Sequence, residues 1–204
     1  MKLAVALSAA ALLLALLAIG IAGEVLSRAA PRPIGEAPAD LRAANVRVSV
    51  SPAESVAGWF IRGEPCSGAV LLLHGVRADR TQMVERARFL KVAGYSVLLV
   101  DLPAHGESSG DRITFGVREG AGVTAALAYL RQQLPGERVG VIGVSLGAAS
   151  LVLSRPSPTP DAVVLESMYP TIEEAVADRL VLHLGGVGSE LAPLLYGNFR
   201  YALA

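Results

Sequence analysis

Cysteine is almost missing from this chain: Cys66 is the only one in 204 residues. A single thiol excludes an intrachain disulfide and a cysteine-based metal site, and Cys66 reads as structural or incidental. Net charge is missing too. Eighteen Lys and Arg balance eighteen Asp and Glu, so no basic surface calls for nucleic acid. No metal cluster, phosphate loop or dinucleotide fingerprint stands at a suitable strand end, so no cofactor and no metal are expected. Internal repeats and low-complexity tracts are also absent beyond the N-terminal region. Histidine is scarce at three residues, and only His183 follows residue 145.

What the chain has in quantity is apolar residues, 52% of the total, partly because of its first segment. Leu3 to Ala22 carries no charge over about twenty residues, long enough at 1.5 Å per residue to span roughly 30 Å. With Lys2 as a positive flank, residues 1–23 read as a transmembrane anchor. A signal peptide cleaved near Gly20-Ile21-Ala22 is the competing reading. Residues 24–44 contain Pro31, Pro33 and Pro38 and are expected to form an extended linker. Residues 45–204 then make one domain, with 169–204 as the start of a cap.

Within that domain, strand and helix signals alternate. Val46-Val48-Val50 has a strand's period of two, and Val56–Ile61 is its predicted hairpin partner. The runs 69–73, 95–100, 138–142 and 162–165 are short, apolar and bounded by turn residues, as buried strands are. Helical spacing predicts helices over Arg80–Val92, Thr114–Leu130 and Tyr169–Leu184, and Gly185-Gly186-Val187-Gly188 breaks the last. Strands and helices alternating in this way indicate a mostly parallel sheet with helices on both faces.

Three loops leaving strand ends carry chemistry-bearing residues. Gly143-Val144-Ser145-Leu146-Gly147 follows one strand and precedes a helix of small residues. This is the pattern of a sharp elbow that presents a serine nucleophile, with glycines relieving the crowding. His74-Gly75-Val76-Arg77 follows another strand. Its glycine is expected to let the backbone turn so that a following N–H faces Ser145. Acyl transfer needs two donors for the oxyanion: the Leu146 and Val76 N–H groups form the obvious pair, with Arg77 the neighbouring option. The third loop is Asp101-Leu102-Pro103-Ala104-His105-Gly106-Glu107-Ser108.

These three motifs, in this order, resemble the α/β-hydrolase superfamily, and more narrowly its bacterial membrane-anchored, serine-aminopeptidase-like and esterase-like branch. The resemblance covers roughly Val46 to the C-terminus. It implies an α/β-hydrolase fold and hydrolysis of an ester, thioester or amide through an acyl-enzyme on Ser145. It also implies loop-structuring roles for His74, Gly75, Asp101, His105 and Gly106, and a small acyl-containing substrate. A bacterial inner-membrane location with an extracytoplasmic domain follows, or secretion after signal cleavage.

The family pattern also asks for an acid and a histidine after the serine. The candidates are Glu166, at the end of the 162–165 strand, and His183, in the predicted cap helix. With no further strand evident, the last two strands of the family's sheet are expected to be missing. The chain then reads as C-terminally incomplete, with low turnover or none and self-association through an exposed 163–165 edge. A non-catalytic binding module of the same fold is the alternative.

Overall fold

The apolar runs do become strands, and their pairing brings the three loops to one end of the sheet. The computed structural model describes residues 24–186, together with 13, 14, 17, 21, 188–190, 192 and 193. The chain divides into two compact units, Ala29–Met168 and Met1–Arg28 with Tyr169–Ala204.

The first unit contains β1 (Ala30–Pro31), β2 (Ala44–Ser49), β3 (Ser55–Ile61), β4 (Ala69–Leu73), α1 (Val84–Val92), β5 (Ser96–Val100), β6 (His105–Gly106), α2 (Glu119–Gln133), β7 (Val139–Val144), α3 (Leu146–Ser154) and β8 (Ala162–Glu166). Six strands form one sheet in the order β2-β3-β5-β4-β7-β8. The β5-β4-β7-β8 portion is parallel, and β3 is antiparallel to both β2 and β5. Helices cover both faces. On one, Val123, Ala126, Leu127 and Leu130 of α2 and Leu146 and Leu151 of α3 pack against Leu71, Leu73, Leu98, Val100 and Val141. On the other, Met83, Ala87 and Leu90 meet Trp59, Ile61, Val70, Leu72, Val97 and Leu99. Strands buried on both faces read as continuous apolar runs for this reason, and β4 and β5 are buried throughout.

Several details differ from the sequence reading. The 80–92 helix begins as a 3-10 turn, Arg80–Met83, capped by Asp79 accepting from the Thr81 N–H. The helix expected from Thr114 starts at Glu119 instead. The Glu119 carboxylate accepts from the Thr114 and Gly116 N–H groups and from Thr114 Oγ1, and Phe115 takes a φ of 54°. Side-chain bonds thus outcompete the first helical turn.

The segment read as an extended linker is docked from Ala29 onward. β1 pairs in parallel with β6, the Ile34 and Gly35 N–H groups donate to Glu107 Oε1, and Leu41 is fully buried. Its prolines hold the chain extended, and extended backbone can ladder onto a neighbouring loop.

β8 pairs with β7 and with no other described strand, and its Val163, Val164 and Leu165 are 46%, 50% and 41% exposed. In the second unit, α4 (Ile172–Leu184) is capped by Thr171, whose Oγ1 accepts from the Glu174 N–H, and it stops at Gly185 with φ 61°. Among the described residues no strand follows Glu166. None of their helices is long and apolar enough to cross a membrane. The anchor expected over Leu3–Ala22 lies outside the described residues apart from Leu13, Leu14, Leu17 and Ile21.

Candidate active site

Register assembles the site. Leu73 stands beside both Val100 and Gly143, and Val144 beside Glu166, so the residues after β4, β5 and β7 emerge at one carboxyl-terminal edge. Loops at this edge are where open α/β sheets hold ligands.

Ser145 sits on the turn from β7 into α3 with φ 49° and ψ −106°, a conformation that L residues strongly avoid. The elbow survives because its flanks lack side chains. A Cβ on Gly143 would lie 2.7 Å from the Ala148 nitrogen, and one on Gly147 would lie 2.6 Å from the Leu73 carbonyl oxygen. The Ser145 N–H donates to the Glu166 carbonyl at 2.8 Å, pinning the turn to β8. The Leu146 N–H is the first of α3, so it has no intrahelical acceptor and adds the positive end of the helix.

The loop after β4 is shaped differently from the sequence reading. The left-handed residue is Arg77, with φ 56°, and Gly75 is not left-handed. A Cβ on Gly75 would meet its neighbours only at ordinary contact distances. What the glycine supplies is therefore space beside Ser145, whose Cβ would be 3.8 Å away. The Arg77 N–H donates to His105 Nε2 at 3.1 Å and is thereby occupied. The Val76 N–H has no acceptor among the described residues.

Both histidines of this unit are fully engaged. His74 Nδ1 donates to the Gly75 carbonyl at 2.7 Å, and its Nε2 accepts from the Leu102 N–H at 2.9 Å. His105 Nδ1 donates to the Pro103 carbonyl at 3.0 Å while its Nε2 takes the Arg77 N–H. The backbone partners dictate these tautomers, since an N–H must meet a lone pair. Burial holds His74 down to about 3 and lowers His105 as well, so both rings are neutral. With both nitrogens of each ring taken, neither is placed to receive the Ser145 proton. They join the loop after β4 to the loop after β5.

Asp101 is the hub of that second loop. Its Oδ1 accepts from the Arg80 N–H, and its Oδ2 accepts from Arg80 Nη1 at 2.7 Å and the Glu107 N–H at 2.9 Å. Its carbonyl accepts from Ser108 Oγ. Gly106 packs so closely that a Cβ would come within 2.2 Å of Asp101 Oδ2, and its φ is 53°. Arg80, 2% exposed, also pairs with Glu107 and stacks 4.7 Å above the Trp59 ring. The Arg80 guanidinium holds the Glu107 carboxyl down to about 2.

Arg80 and Glu107 escaped the sequence reading. Their one signal is that the third motif carries a second carboxylate, and the partner stands 21 residues before Asp101. Gln82 was missed too: its Oε1 accepts from the Gly75 N–H at 2.7 Å.

Glu166 turns its carboxylate to Arg86, whose Nε donates to Oε1 at 3.1 Å and whose Nη2 pairs with Oε2. His183 lies on α4, in the other unit. Among the described residues no histidine or carboxylate is hydrogen-bonded to Ser145 Oγ, and no cluster of His, Cys, Asp and Glu could hold a metal ion.

The comparisons with known proteins agree with this fold. A sequence profile of the alpha/beta hydrolase family matches residues 70–203. An esterase of Pyrococcus furiosus has a similar structure, with 25% identity and a TM-score of 0.66 over 87% of this chain and 69% of that one. An alpha-beta hydrolase of Vibrio vulnificus shares the fold at 20% identity and a TM-score of 0.64, over 85% of this chain and 65% of that one. A dienelactone hydrolase of Anabaena variabilis matches at 25% identity and a TM-score of 0.50, over 68% of each chain. No curated protein matches. The family profile covers most of the chain and these neighbours share its fold, so the chain belongs to the alpha/beta hydrolase family.

Proposed function

We propose that the chain is a serine hydrolase that cleaves an ester, thioester or amide of a small acyl-containing substrate. The strained backbone of Ser145, lifted clear at the head of α3, is the observation that carries this reading. Ser145 Oγ attacks the carbonyl carbon while its proton passes to a base, and the carbonyl π electrons move onto oxygen. The Val76 and Leu146 N–H groups donate to that oxyanion from positions set before the reaction. One such donor is worth on the order of 10²-fold in rate. Collapse breaks the bond to the leaving group, which departs protonated, and water later releases the acid from Ser145.

His74 and His105 are spoken for at both nitrogens, and His183 stays the candidate base named from the sequence. Glu166 is the candidate acid only if its carboxylate leaves Arg86. A base out of place slows both steps and turnover stays low; with an activated ester, whose leaving group needs no protonation, acylation outruns deacylation. The Arg86–Glu166 ion pair also favours the second reading, a non-catalytic binding module of the same fold.

A fluorophosphonate probe separates the two. Labelling of the full chain, lost in Ser145→Ala, with a burst of product from a short activated ester, is the expected result. Labelling that survives Ser145→Ala, or no labelling, removes the serine-hydrolase reading.

Two wider readings accompany this one. The uncharged stretch Leu3–Ala22 supports an anchor in a bacterial inner membrane with the globular part outside, or a cleaved signal in a secreted form. The apolar β8 edge supports self-association.

A further inference from the structure

Gln82 offers the site a pair of donors that the oxyanion loop and the elbow do not account for. It stands in the 3-10 turn Arg80–Met83, and its Oε1 takes the Gly75 N–H at 2.7 Å. That bond decides the orientation of the amide. A backbone N–H must face an oxygen, so Nε2 and its two hydrogens occupy the other position. Gln82 is exposed, and among the described residues Nε2 has no acceptor.

The space beside it is marked by the missing side chain of Gly75. A Cβ there would lie 3.6 Å from Gln82 Oε1, 3.8 Å from Gln82 Nε2 and 3.8 Å from Ser145 Cβ. The Gln82 amide and the nucleophile therefore flank one small gap. The backbone at Gly75 has no left-handed φ that would demand a glycine, and without a side chain this gap is open.

We propose that Gln82 is a catalytic residue with two simultaneous tasks. Its Oε1 clamps the Gly75 N–H, and its Nε2 donates to the acyl oxygen as that oxygen becomes an oxyanion on Ser145. The inference rests on Ser145 being the nucleophile and adds a side-chain donor to the two backbone ones. An uncharged amide suits this place, because it stabilises the developing charge without first binding an anion strongly.

Two substitutions separate the tasks, read as the rate of fluorophosphonate labelling of Ser145 in the full chain at neutral pH. Gln82→Glu keeps an oxygen for the Gly75 N–H and loses both donors. Gln82→Met keeps length, adds no charge and loses clamp and donors together. The expected result is slower labelling in both, by on the order of 10²-fold, with melting temperatures close to wild type. Wild-type labelling in Gln82→Glu would reduce Gln82 to a clamp, and wild-type labelling in Gln82→Met would leave only a charge effect; either overturns the proposal. A wild-type chain unlabelled at Ser145 takes down the nucleophile reading and this one with it, whereas a labelled wild type with unaffected variants takes down this one alone.

Discussion

A buried neutral histidine makes stability depend on pH, and the direction is set by which state takes up the proton. His74 is held at about 3 by burial, against 6.5 for an exposed ring. Between those values the unfolded chain binds a proton that the folded chain refuses. Stability is therefore complete above about pH 6.5 and falls as pH drops below it, by up to about 1.4 kcal/mol per pH unit for this group. His105 is lowered for the same reason and acts in the same sense. Urea denaturation between pH 7.5 and 5 should show the midpoint falling with acidity, and a midpoint that held steady would contradict it. At this scale the sequence singled out residues more readily than it showed their contacts. Ser145, His74 and Asp101 stand out through neighbours adjacent in the chain. Gln82 and Arg80 look like ordinary surface residues at a helix start, because their partners Gly75 and Asp101 meet them only after folding. Gly75 stood out as a glycine expected to turn the backbone, but its φ is not left-handed.

Among the elements, β8 carries the clearest liability. One of its edges pairs with β7, and Val163, Val164 and Leu165 leave an uncharged run exposed on the other side. Such an edge invites pairing with another strand, and a lysine placed in it opposes this by demanding solvation. Val164→Lys should shift a concentration-dependent mixture toward monomer in sedimentation velocity, at little expense in folding since the position is half exposed. A wild-type chain that stays monomeric at high concentration would remove the reading. Strands were the most legible elements: apolar runs bounded by glycine and proline gave β4, β5, β7 and β8 to within a residue or so. Helix starts were less so. The Glu119 carboxylate collects three donors from residues just before it, and that local competition delays α2 past the periodic signal. The docking of residues 30–35 was invisible for another reason, since proline-rich chain looks the same whether it is solvated or laddered onto a distant loop.

For the whole molecule, the apolar N-terminus and the folded unit make separable demands. If Leu3–Ala22 is an uncleaved anchor, the full chain expressed in bacteria should sediment with membranes and resist alkaline carbonate, whereas a chain lacking residues 1–23 should not. Release of the full-length chain by carbonate would count against an anchor. The unit from Ala29 to Met168 carries its own two-sided core. Within the core, Trp59 is the only tryptophan in the chain, and the Arg80 guanidinium lies over its ring. Light absorbed at the red edge of the protein spectrum is thus emitted from one known place, beneath the ionic triangle of Arg80, Asp101 and Glu107. The molecule carries its own optical gauge: a change in that emission reports on the support under the loop after β5, without a label and without averaging over other indoles.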